Sequence, residues 1–494
     1  MDISGLLLYT LLILCLHFFL KTFKPKNKRL PPGPKGLPIL GSLLTIGDKP
    51  HESLTKLAKS YGPLMTVKFG FVNVVVASSK DMAKEILLKN DQTFLGRPTP
   101  VAVAAEKDYE LSMVWSSGQG SHWKKLRKIC NSQVFTTQRL DSLQNLRHQM
   151  MKNMIERVNE AREIGEEVYI GRLVFGTTLN LLSNTMFSGD MFDVNSDEMR
   201  ELKELIANMM ELAGKPNVVD YLPFLKPFDP QGIRRGMMVC YDGLHKLFDD
   251  IIGRRIKRRA LESDRFGDFL DVLLDHTEEH GAEELNYQMV KIVLMDLFIG
   301  GTHSTTTTLE WALAQLLHNP PILFKAKQEL SQVLATPKLV QEYDIPNLPY
   351  LDAVLKEAMR LHPTAPLLLP HRAEQDVEIQ GYTIPKHTQV FVNAWSILRD
   401  PTYWDDPTSF KPERFLNSDI DFRGRDFSYI PFGSGRRICP GLNLGVRMVS
   451  VILANLVHNF DWKLPNGMKP EDMEMKDRFG ITLQKDEPLV VIPM

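Results

Sequence analysis

One cysteine near the end of the chain has surroundings that suit a reactive or metal-binding sulfur. Cys439 lies in the loop FGSGRRICPG, where glycines let the backbone approach a flat group closely and Phe432 is placed to cover such a group. The positive charges of Arg436 and Arg437 are expected to lower the pKa of the thiol. A thiolate held in this way suits the axial position on heme iron, where its electron donation favours cleavage of an O–O bond. A lone cysteine is more often buried and inert, but this loop favours the ligand interpretation.

The loop and four other motifs resemble those of the cytochrome P450 family. The heme-binding signature F-x-x-G-x-R-x-C-x-G is matched by Phe432, Gly435, Arg437, Cys439 and Gly441. The other motifs, in family order, are the proline-rich LPPGPKGLP at 30–38, W-x-x-x-R at Trp123 and Arg127, E-x-x-R at Glu357 and Arg360, and P-E-R-F at Pro412–Phe415. This resemblance covers nearly the whole chain. It implies a mainly α-helical heme-thiolate monooxygenase domain with a small β portion, which binds heme b through Cys439 as the axial iron ligand.

The resemblance also implies which side chains bond the heme propionates. Trp123 and Arg127 lie four residues apart, on one face of a predicted helix, and such residues bond a propionate in the family. A cation–π pair on the surface is the alternative interpretation. One of His371 and Arg372 is expected to reach the other propionate, and the sequence does not decide which. Arg437 is a third candidate.

Two motifs supply a charged pair with a structural role. Glu357 and Arg360 lie one helical turn apart and can pair. An exposed pair would contribute little to stability. The family buries this pair and joins it to the arginine of P-E-R-F, here Arg414. We therefore expect these three residues to support the structure around the heme and not to take part in the reaction.

The longest predicted helix departs from the family pattern on the oxygen-binding side. Where the family usually has a small residue, Gly, any residue, Asp or Glu, Thr, and Thr or Ser, this chain has Gly300, Gly301, Thr302, His303, Ser304 and Thr305. Adjacent glycines weaken a helix and predict a local widening. Three interpretations remain open: a proton relay through Ser304 and His303 with water, activation by Thr305 in a shifted register, or altered chemistry such as rearrangement or desaturation.

The substrate pocket is expected where the family has its walls above the heme. The predicted pocket residues are Asp296, Gly300, Gly301, Ala365, Leu369 and Ile481. Asp296 is the notable acid among them. It could face an amine or a hydroxyl group of a substrate, or it could be a hydrated residue at the flank of the helix.

Composition excludes some functions and limits the domain count. The formal net charge of −1 provides no overall field that would attract nucleic acid. Four scattered cysteines argue against a disulfide framework and fit a reducing compartment. Length alone would suggest three domains, but no linker, repeat or low-complexity run divides the chain, and the family resemblance implies one heme-thiolate monooxygenase domain at 41–494.

The N-terminus predicts attachment to a membrane. Residues 3–20 are almost wholly apolar, and four lysines and an arginine come between them and residue 30. This length is close to that of a membrane span, and the charges favour a cytosolic location for the rest of the chain. We predict a transmembrane anchor at 1–22 and a basic, proline-rich hinge at 23–40, in the endoplasmic reticulum membrane. A cleaved signal peptide is the rival interpretation.

Hydrophobic periodicity predicts a mainly helical chain with short strands after residue 363. Helices are expected at 79–89, 122–130, 139–162, 199–212, 285–318, 325–334, 352–361 and 442–460. Extended segments are expected as two strands within 67–78 and at 367–370, 377–384 and 390–394.

Several phrases of the sequence resemble plant microsomal enzymes of the family. LNLLSNTMFS, SDIDFRGRDF and FGITLQK look like plant hydroxylases of monoterpenoids, such as geraniol, and of diterpenoids. We expect oxidation of a small lipophilic specialised metabolite, a terpenoid, with O2 and with electrons from NADPH through NADPH–cytochrome P450 reductase. A basic patch of Lys124, Lys125, Lys128 and Arg436 could meet that flavoprotein. The alternatives are an alkaloid or phenolic oxidase, a heme-thiolate isomerase, and a non-catalytic heme carrier or sensor.

Overall fold

The computed structural model describes residues 29–118, 120–188, 197–261, 265–281, 285–334 and 339–494. The predicted anchor at 1–22 and the first part of the hinge lie outside the described residues. Within those ranges, no helix combines the length and the apolar character needed to cross a bilayer.

Helices make up most of the described chain. They are α1 Leu43–Ile46, α2 Pro50–Tyr61, α3 Lys80–Lys84, α4 Ser121–Ile129, α5 Thr137–Ser142, α6 Gln144–Ile164, α7 Ile170–Phe187, α8 Asp197–Gly214, α9 Val218–Tyr221, α10 Ile233–Leu261, α11 Phe269–His280, α12 Tyr287–His318, α13 Pro320–Val333, α14 Pro349–Leu361, α15 Ala394–Ile397 and α16 Leu442–Asn459. A π-helical turn continues α3 over Glu85–Lys89, and another continues α4 over Cys130–Val134.

In the part of the chain that the structure describes, the strands are short and form four small sheets. They are β1 Leu64–Phe69, β2 Val72–Ala77, β3 Val168–Tyr169, β4 His371–Arg372, β5 Val377–Ile379, β6 Tyr382–Ile384, β7 Gln389–Val392, β8 Trp462–Lys463, β9 Asp477–Arg478, β10 Gln484–Lys485 and β11 Val490–Pro493. The largest sheet has the order β1-β2-β7-β4, with β2 and β7 parallel. β10 pairs antiparallel with β9, so residues 479–483 form the tip of a hairpin.

The proline-rich segment packs against the first sheet. Thr66 donates its N–H to the carbonyl of Pro32 at 2.8 Å. A side chain at Gly33 would place its Cβ 1.8 Å from the carbonyl oxygen of Thr66, so only glycine allows this approach. The described part of the predicted hinge therefore lies against β1.

Helix α12 runs through the centre of the molecule and carries the distal motif. Asn286 caps its first turn by accepting the N–H of Met289 at 2.9 Å, and Pro320 follows its last residues. Its apolar residues are buried, with the ring of Phe298 5.7 Å from that of Phe248 on α10. The helix packs against α7, α14 and α16. Burial on several sides holds its middle turns at a fixed position.

The predicted elements agree with the observed ones where periodicity was strong. The two strands within 67–78, the extended segment at 377–384, which forms β5 and β6, and the helices α8, α12, α14 and α16 are confirmed within a few residues. The extended segment predicted at 367–370 is not a strand, since β4 begins only at His371. Most of α10, and all of α7 and α11, were not predicted. The mainly helical fold with a small β portion is confirmed.

Candidate active site

A cavity of about 360 Å³ lies between α12 and the cysteine loop. Its walls come from α4, α7, α12, the segment 364–371, the loop 431–441 and the hairpin tip that contains Ile481. Leucine, methionine and glycine residues dominate the side near α12, whereas arginine residues lie near the loop and its neighbours. The cavity therefore has an apolar part and a strongly basic part.

The cysteine loop is shaped by two glycines with left-handed backbone conformations. Gly433 has a φ of 73° and Gly435 a φ of 69°. A Cβ at Gly435 would lie 1.9 Å from the carbonyl oxygen of Leu87, so a side chain is excluded there by the neighbouring backbone as well. Cys439 donates its N–H to the carbonyl of Phe432 at 3.1 Å, which closes the loop. Cys439 consequently lies on the cavity wall.

Burial, and not the adjacent arginines, dominates the electrostatics of the cysteine. Desolvation raises the pKa of the Cys439 thiol, while the N–H of Gly441 and the charge of Arg127 act to lower it. Arg436 pairs with Asp91 at 2.8 Å. The prediction that Arg436 and Arg437 lower this pKa is wrong, because the guanidinium that acts on the sulfur comes from α4. A metal cation bound at this half-buried, cavity-lining sulfur would stabilise its thiolate form.

Two arginines, the buried Arg97 and the half-buried Arg437, create the basic part of the cavity. Arg97 is only 5 % exposed and donates from Nη1 to the carbonyls of Leu369 and Pro370, both at 2.8 Å. Arg437 donates to the carbonyl of Leu95 at 2.8 Å and lies over the ring of Trp123 at 4.5 Å. In the described chain, neither guanidinium pairs with a carboxylate.

These arginines point to an anionic ligand. Desolvation, together with the charge of Arg437, holds the pKa of Arg97 well below its usual range. Desolvation, together with Arg127, lowers the pKa of Arg437 to about 10. The Nε atom of Arg97 is buried without a hydrogen-bond partner. Two uncompensated cations facing a cavity that also contains a cysteine fit the propionates of heme.

Of the other four residues that were predicted to bond a propionate, three line the cavity and one does not. His371 lines the cavity, with Nδ1 2.7 Å from the carbonyl of Phe94. Arg372 is not one of the described lining residues, and it pairs with Glu374 at 2.9 Å. Trp123 lines the cavity but donates its indole N–H to the carbonyl of Met113 at 3.0 Å. Arg127 also lines the cavity and bonds the carbonyl of Ile438. Their bonding to propionates stays a prediction.

Arg97 was not predicted from the sequence. It lies in FLGRP, an otherwise uncharged segment, and a single arginine there has no distinguishing spacing. Its acceptors on Leu369 and Pro370 are more than 270 positions away along the chain. Only the contact between these segments shows that the guanidinium faces the cysteine loop.

The distal part of α12 is a regular helix. The α-helical hydrogen bonds continue through Gly300 and Gly301, so the predicted local widening is wrong. A Cβ at Gly300 would meet open space, whereas one at Gly301 would lie 2.8 Å from Leu182 Cδ1 on α7. Gly300 therefore gives room to the cavity, and Gly301 allows α7 to pack closely. Ser304 donates to the carbonyl of Gly300 at 2.7 Å and Thr305 to that of Gly301 at 2.8 Å.

His303 is separated from the neighbouring hydroxyls that line the cavity. Ser304 and Thr305 line it, but His303 is not among the described lining residues. Its Nδ1 lies 3.1 Å from the hydroxyl oxygen of Thr482 in the hairpin tip. Desolvation lowers the pKa of His303 to about 4, so the imidazole is neutral near pH 7. The structure does not bring His303 and Ser304 together as a relay.

Asp296 lines the cavity, but its oxygens are already engaged. They accept the hydroxyl of Ser112 at 2.9 Å and the N–H of Met113 at 2.7 Å. Desolvation raises the pKa of Asp296 to about 7. The carboxyl group therefore fixes the loop before α4. The predicted pocket residues Ala365, Leu369 and Ile481 also lie on the wall.

The three predicted structural residues form one buried cluster. Glu357 and Arg360 are both fully buried, with Arg360 Nε 2.7 Å from Glu357 Oε2. Arg414 Nε lies 3.0 Å from Glu357 Oε1. Arg360 also donates to the carbonyls of Leu398 and Pro407, at 2.7 and 2.8 Å. The cluster joins α14 to the segments that follow β7.

The position of Cys439 on the cavity wall, in a loop shaped by glycines, agrees with a comparison of this chain with known protein families. The model described as Cytochrome P450 matches residues 31–492. The chain belongs to the cytochrome P450 family. It is 47 % identical over 479 residues to a geraniol 8-hydroxylase of Swertia mussotii, covering 97 % of this chain and 96 % of that protein. It is 45 % identical over 493 residues to a geraniol 8-hydroxylase of Catharanthus roseus, covering 100 % and 99 %.

A solved structure has the same fold. A zebrafish cytochrome P450 with progesterone superposes with a TM-score of 0.78 at 25 % identity, covering 90 % of this chain and 99 % of that one. As a cytochrome P450 monooxygenase, the protein uses heme with a thiolate ligand and receives electrons from a redox partner. By the family signature, Cys439 would hold the iron, and Arg97, Arg437 and His371, which line the same cavity, are the residues that would hold the propionates.

Proposed function

We propose that this cytochrome P450 hydroxylates a small, lipophilic, neutral terpenoid with an acyclic or similarly narrow skeleton. Two relatives that each cover almost the whole chain are geraniol 8-hydroxylases. The observation that carries the proposal is the division of the cavity. Its arginines lie near the cysteine loop, whereas the side near α12 has mainly apolar side chains and the bare backbone of Gly300 beside the hydroxyls of Ser304 and Thr305. An apolar substrate gains free energy by filling that end.

The contacts of Asp296 favour a neutral substrate over an amine. An alkaloid ammonium group would need a free carboxylate, but this carboxyl already accepts hydrogen bonds from Ser112 and Met113. Its raised pKa also reduces its negative charge near neutral pH. A phenolic substrate has no such requirement and is the second candidate.

The roles of the chain's own residues follow from their placement. When bound, heme supplies the activation of dioxygen and the transfer of one oxygen atom to a C–H bond. The backbone at Gly300 leaves space for small molecules beside α12. Ser304 and Thr305 hold their hydroxyl oxygens at the cavity wall and can accept or pass a proton by rotating away from the carbonyls they now bond.

We also propose that the protein works at the endoplasmic reticulum membrane. An exposed apolar surface supports this, formed by Leu37, Ile39, Leu44, Phe224 and Phe228. The β1–β2 turn lies between the segment of Leu37 and Ile39 and the segment of Phe224. Gly70 donates its N–H to the carbonyl of Leu40, and Phe71 donates its N–H to the carbonyl of Tyr221. An exposed apolar surface of this kind suits the interface of a bilayer. Changing Phe224 and Phe228 to Glu in chains that begin at residue 29 should reduce co-sedimentation with liposomes; unchanged sedimentation would refute this surface.

The electron donor we propose is NADPH–cytochrome P450 reductase. Lys124 and Lys128 are exposed on α4, the helix that also carries Arg127 to the cysteine. Cations beside the thiolate side of the heme would speed the encounter with an acidic flavoprotein. The double change of both lysines to Glu should lower the reduction rate at low salt more than at high salt.

The test of the proposed reaction uses microsomes that contain the full chain and the reductase. Geraniol, a panel of phenols and a panel of alkaloids are incubated with NADPH under 18O2, and products are identified by mass spectrometry. The proposal predicts a geraniol-derived alcohol with one labelled oxygen atom and no product from Cys439→Ala. Turnover without NADPH would indicate an isomerase. No product from any compound, with heme correctly bound, would favour a carrier or a different substrate class.

A further inference from the structure

His303 stands in α12 where the family usually has an acidic residue. A proton relay would require it to contact Ser304, but its side chain contacts the hairpin between β9 and β10. His303 Nδ1 lies 3.1 Å from Thr482 Oγ1, and Thr307 Oγ1 lies at 3.5 Å. Burial keeps the imidazole neutral. Its hydrogen-bonding capacity is therefore directed at the hairpin tip between β9 and β10.

The hairpin tip is part of the cavity wall. Ile481 and Thr482 both line the cavity. The far end of the tip is fixed through Leu483, which donates its N–H to the carbonyl of Thr364 at 2.9 Å and accepts the indole N–H of Trp311 at 3.0 Å. On the other side the end of α8 is in close contact, since a Cβ at Gly214 would lie 2.5 Å from the N atom of Ile481.

The hydrogen bond between the two side chains can form with either ring tautomer. Nδ1 of the neutral imidazole either accepts the hydroxyl proton of Thr482 or donates its own proton to Thr482 Oγ1, which also accepts Gln484 Nε2 at 3.5 Å. Asparagine places an acceptor oxygen at a similar distance from its Cα, whereas leucine offers none.

We infer that His303 is a positioning residue that fixes Thr482, and with it Ile481, against α12 and thereby determines which carbon of the substrate lies nearest the heme. This inference rests on the proposed function for its substrate class. His303 acts through the cavity wall and does not itself deliver protons. The replacement of the family's acidic residue by His303 would then change which carbon of the substrate is oxidised, and not the activation of oxygen.

The first test measures the wall itself and needs no substrate. Hydrogen–deuterium exchange is recorded on the ferric, heme-loaded protein for peptides that cover 479–485. Loss of one neutral hydrogen bond increases local opening by about fivefold, so His303→Leu and Thr482→Val should each raise exchange by about that factor. The double variant should match the single ones, and His303→Asn should restore parental exchange. Thr306→Val is the matched control, because its hydroxyl bonds only the carbonyl of Thr302 within α12.

The second test measures selectivity with geraniol as the probe. His303→Leu and Thr482→Val should change the ratio of hydroxylated regioisomers in the same direction, while peroxide released per NADPH changes equally in both variants. Unchanged exchange in both variants would overturn the inference. So would a rise in peroxide confined to His303→Leu, which is the result a relay predicts. If the parent does not turn over geraniol, the proposed substrate class fails, and the exchange measurement still decides the role of His303.

Discussion

Arg97 gives the sharpest test of how the chain holds its cofactor. The change Arg97→Leu removes a buried cation that bonds the carbonyls of Leu369 and Pro370 and has no carboxylate partner among the described residues. In the heme-free protein this removal relieves repulsion from Arg437. In the heme-bound protein it would also remove the cation that the proposal assigns to a propionate. The heme-bound form should therefore lose more stability from the change than the heme-free form, which also loses the bonds to the two carbonyls.

The size of the effect follows from the kind of bond that is lost. A hydrogen bond to a charged group is worth about 1.5–3 kcal/mol, so heme should leave the variant about 10- to 100-fold faster. The assay transfers heme from the ferric protein to an excess of apomyoglobin and follows the Soret absorbance. Arg372→Leu is the matched control, since Arg372 pairs with Glu374, and it should release heme at the parental rate.

Two results would refute this reasoning. A transfer rate for Arg97→Leu within twofold of the parent would mean that Arg97 does not bond the propionate. A large increase in Arg372→Leu would mean that the arginine of β4, and not the cavity-lining His371, approaches the heme. Arg97→Lys should give an intermediate rate, because it keeps the charge but loses the planar fork.

Three further predictions concern stability, each measured by chemical or thermal unfolding. Gly435→Ala should destabilise the protein far more than Gly467→Ala does, because its Cβ would lie 1.9 Å from a backbone oxygen. Gly467→Ala has a similar φ of 68° but open space and should cost only about 1–2 kcal/mol, so equal losses of unfolding free energy would contradict this. Glu357→Gln should cost about 3–5 kcal/mol, because it leaves Arg360 charged and buried, and a loss below 1 kcal/mol would contradict burial of the pair. The folded-state pKa of Asp296 is about 7, above the ordinary 3.8, so its contribution to stability is complete below about pH 4 and is lost as pH rises to about 7. Asp296→Asn cannot ionise, so its unfolding free energy relative to the parent should rise by on the order of 3 kcal/mol across that range, and a constant difference would refute the shift.

The features that the sequence predicted well are local ones. The cysteine loop could be recognised because its glycines, arginine and cysteine act within ten residues, and the structure gives Gly433 and Gly435 the backbone conformations that only glycine adopts readily. The β1–β2 hairpin and α14 follow from alternating or helical apolar spacing. The contact between Glu357 and Arg414 could be predicted because both residues belong to motifs that are joined in the family.

Residues whose roles depend on distant contacts were predicted poorly. Arg97 gains its role from carbonyls of a segment on the far side of the chain. Arg436 was expected at the sulfur, but Asp91 binds it instead. Helical spacing places His303 next to Ser304, yet successive positions on a helix point about 100° apart, and its partner Thr482 belongs to a hairpin near the C-terminus. Periodicity alone therefore could not show which of the two residues faces the cavity.

The most direct test of the account is the ligand on heme iron. The full chain is purified with heme, reduced, exposed to carbon monoxide and examined by difference spectroscopy, alongside Cys439→Ser. We predict that the parent gives the Soret band characteristic of a thiolate ligand and that the variant does not. A well-folded, heme-loaded parent that shows instead the band of a histidine-ligated or neutral-thiol heme would contradict the assignment of Cys439 and the function built on it.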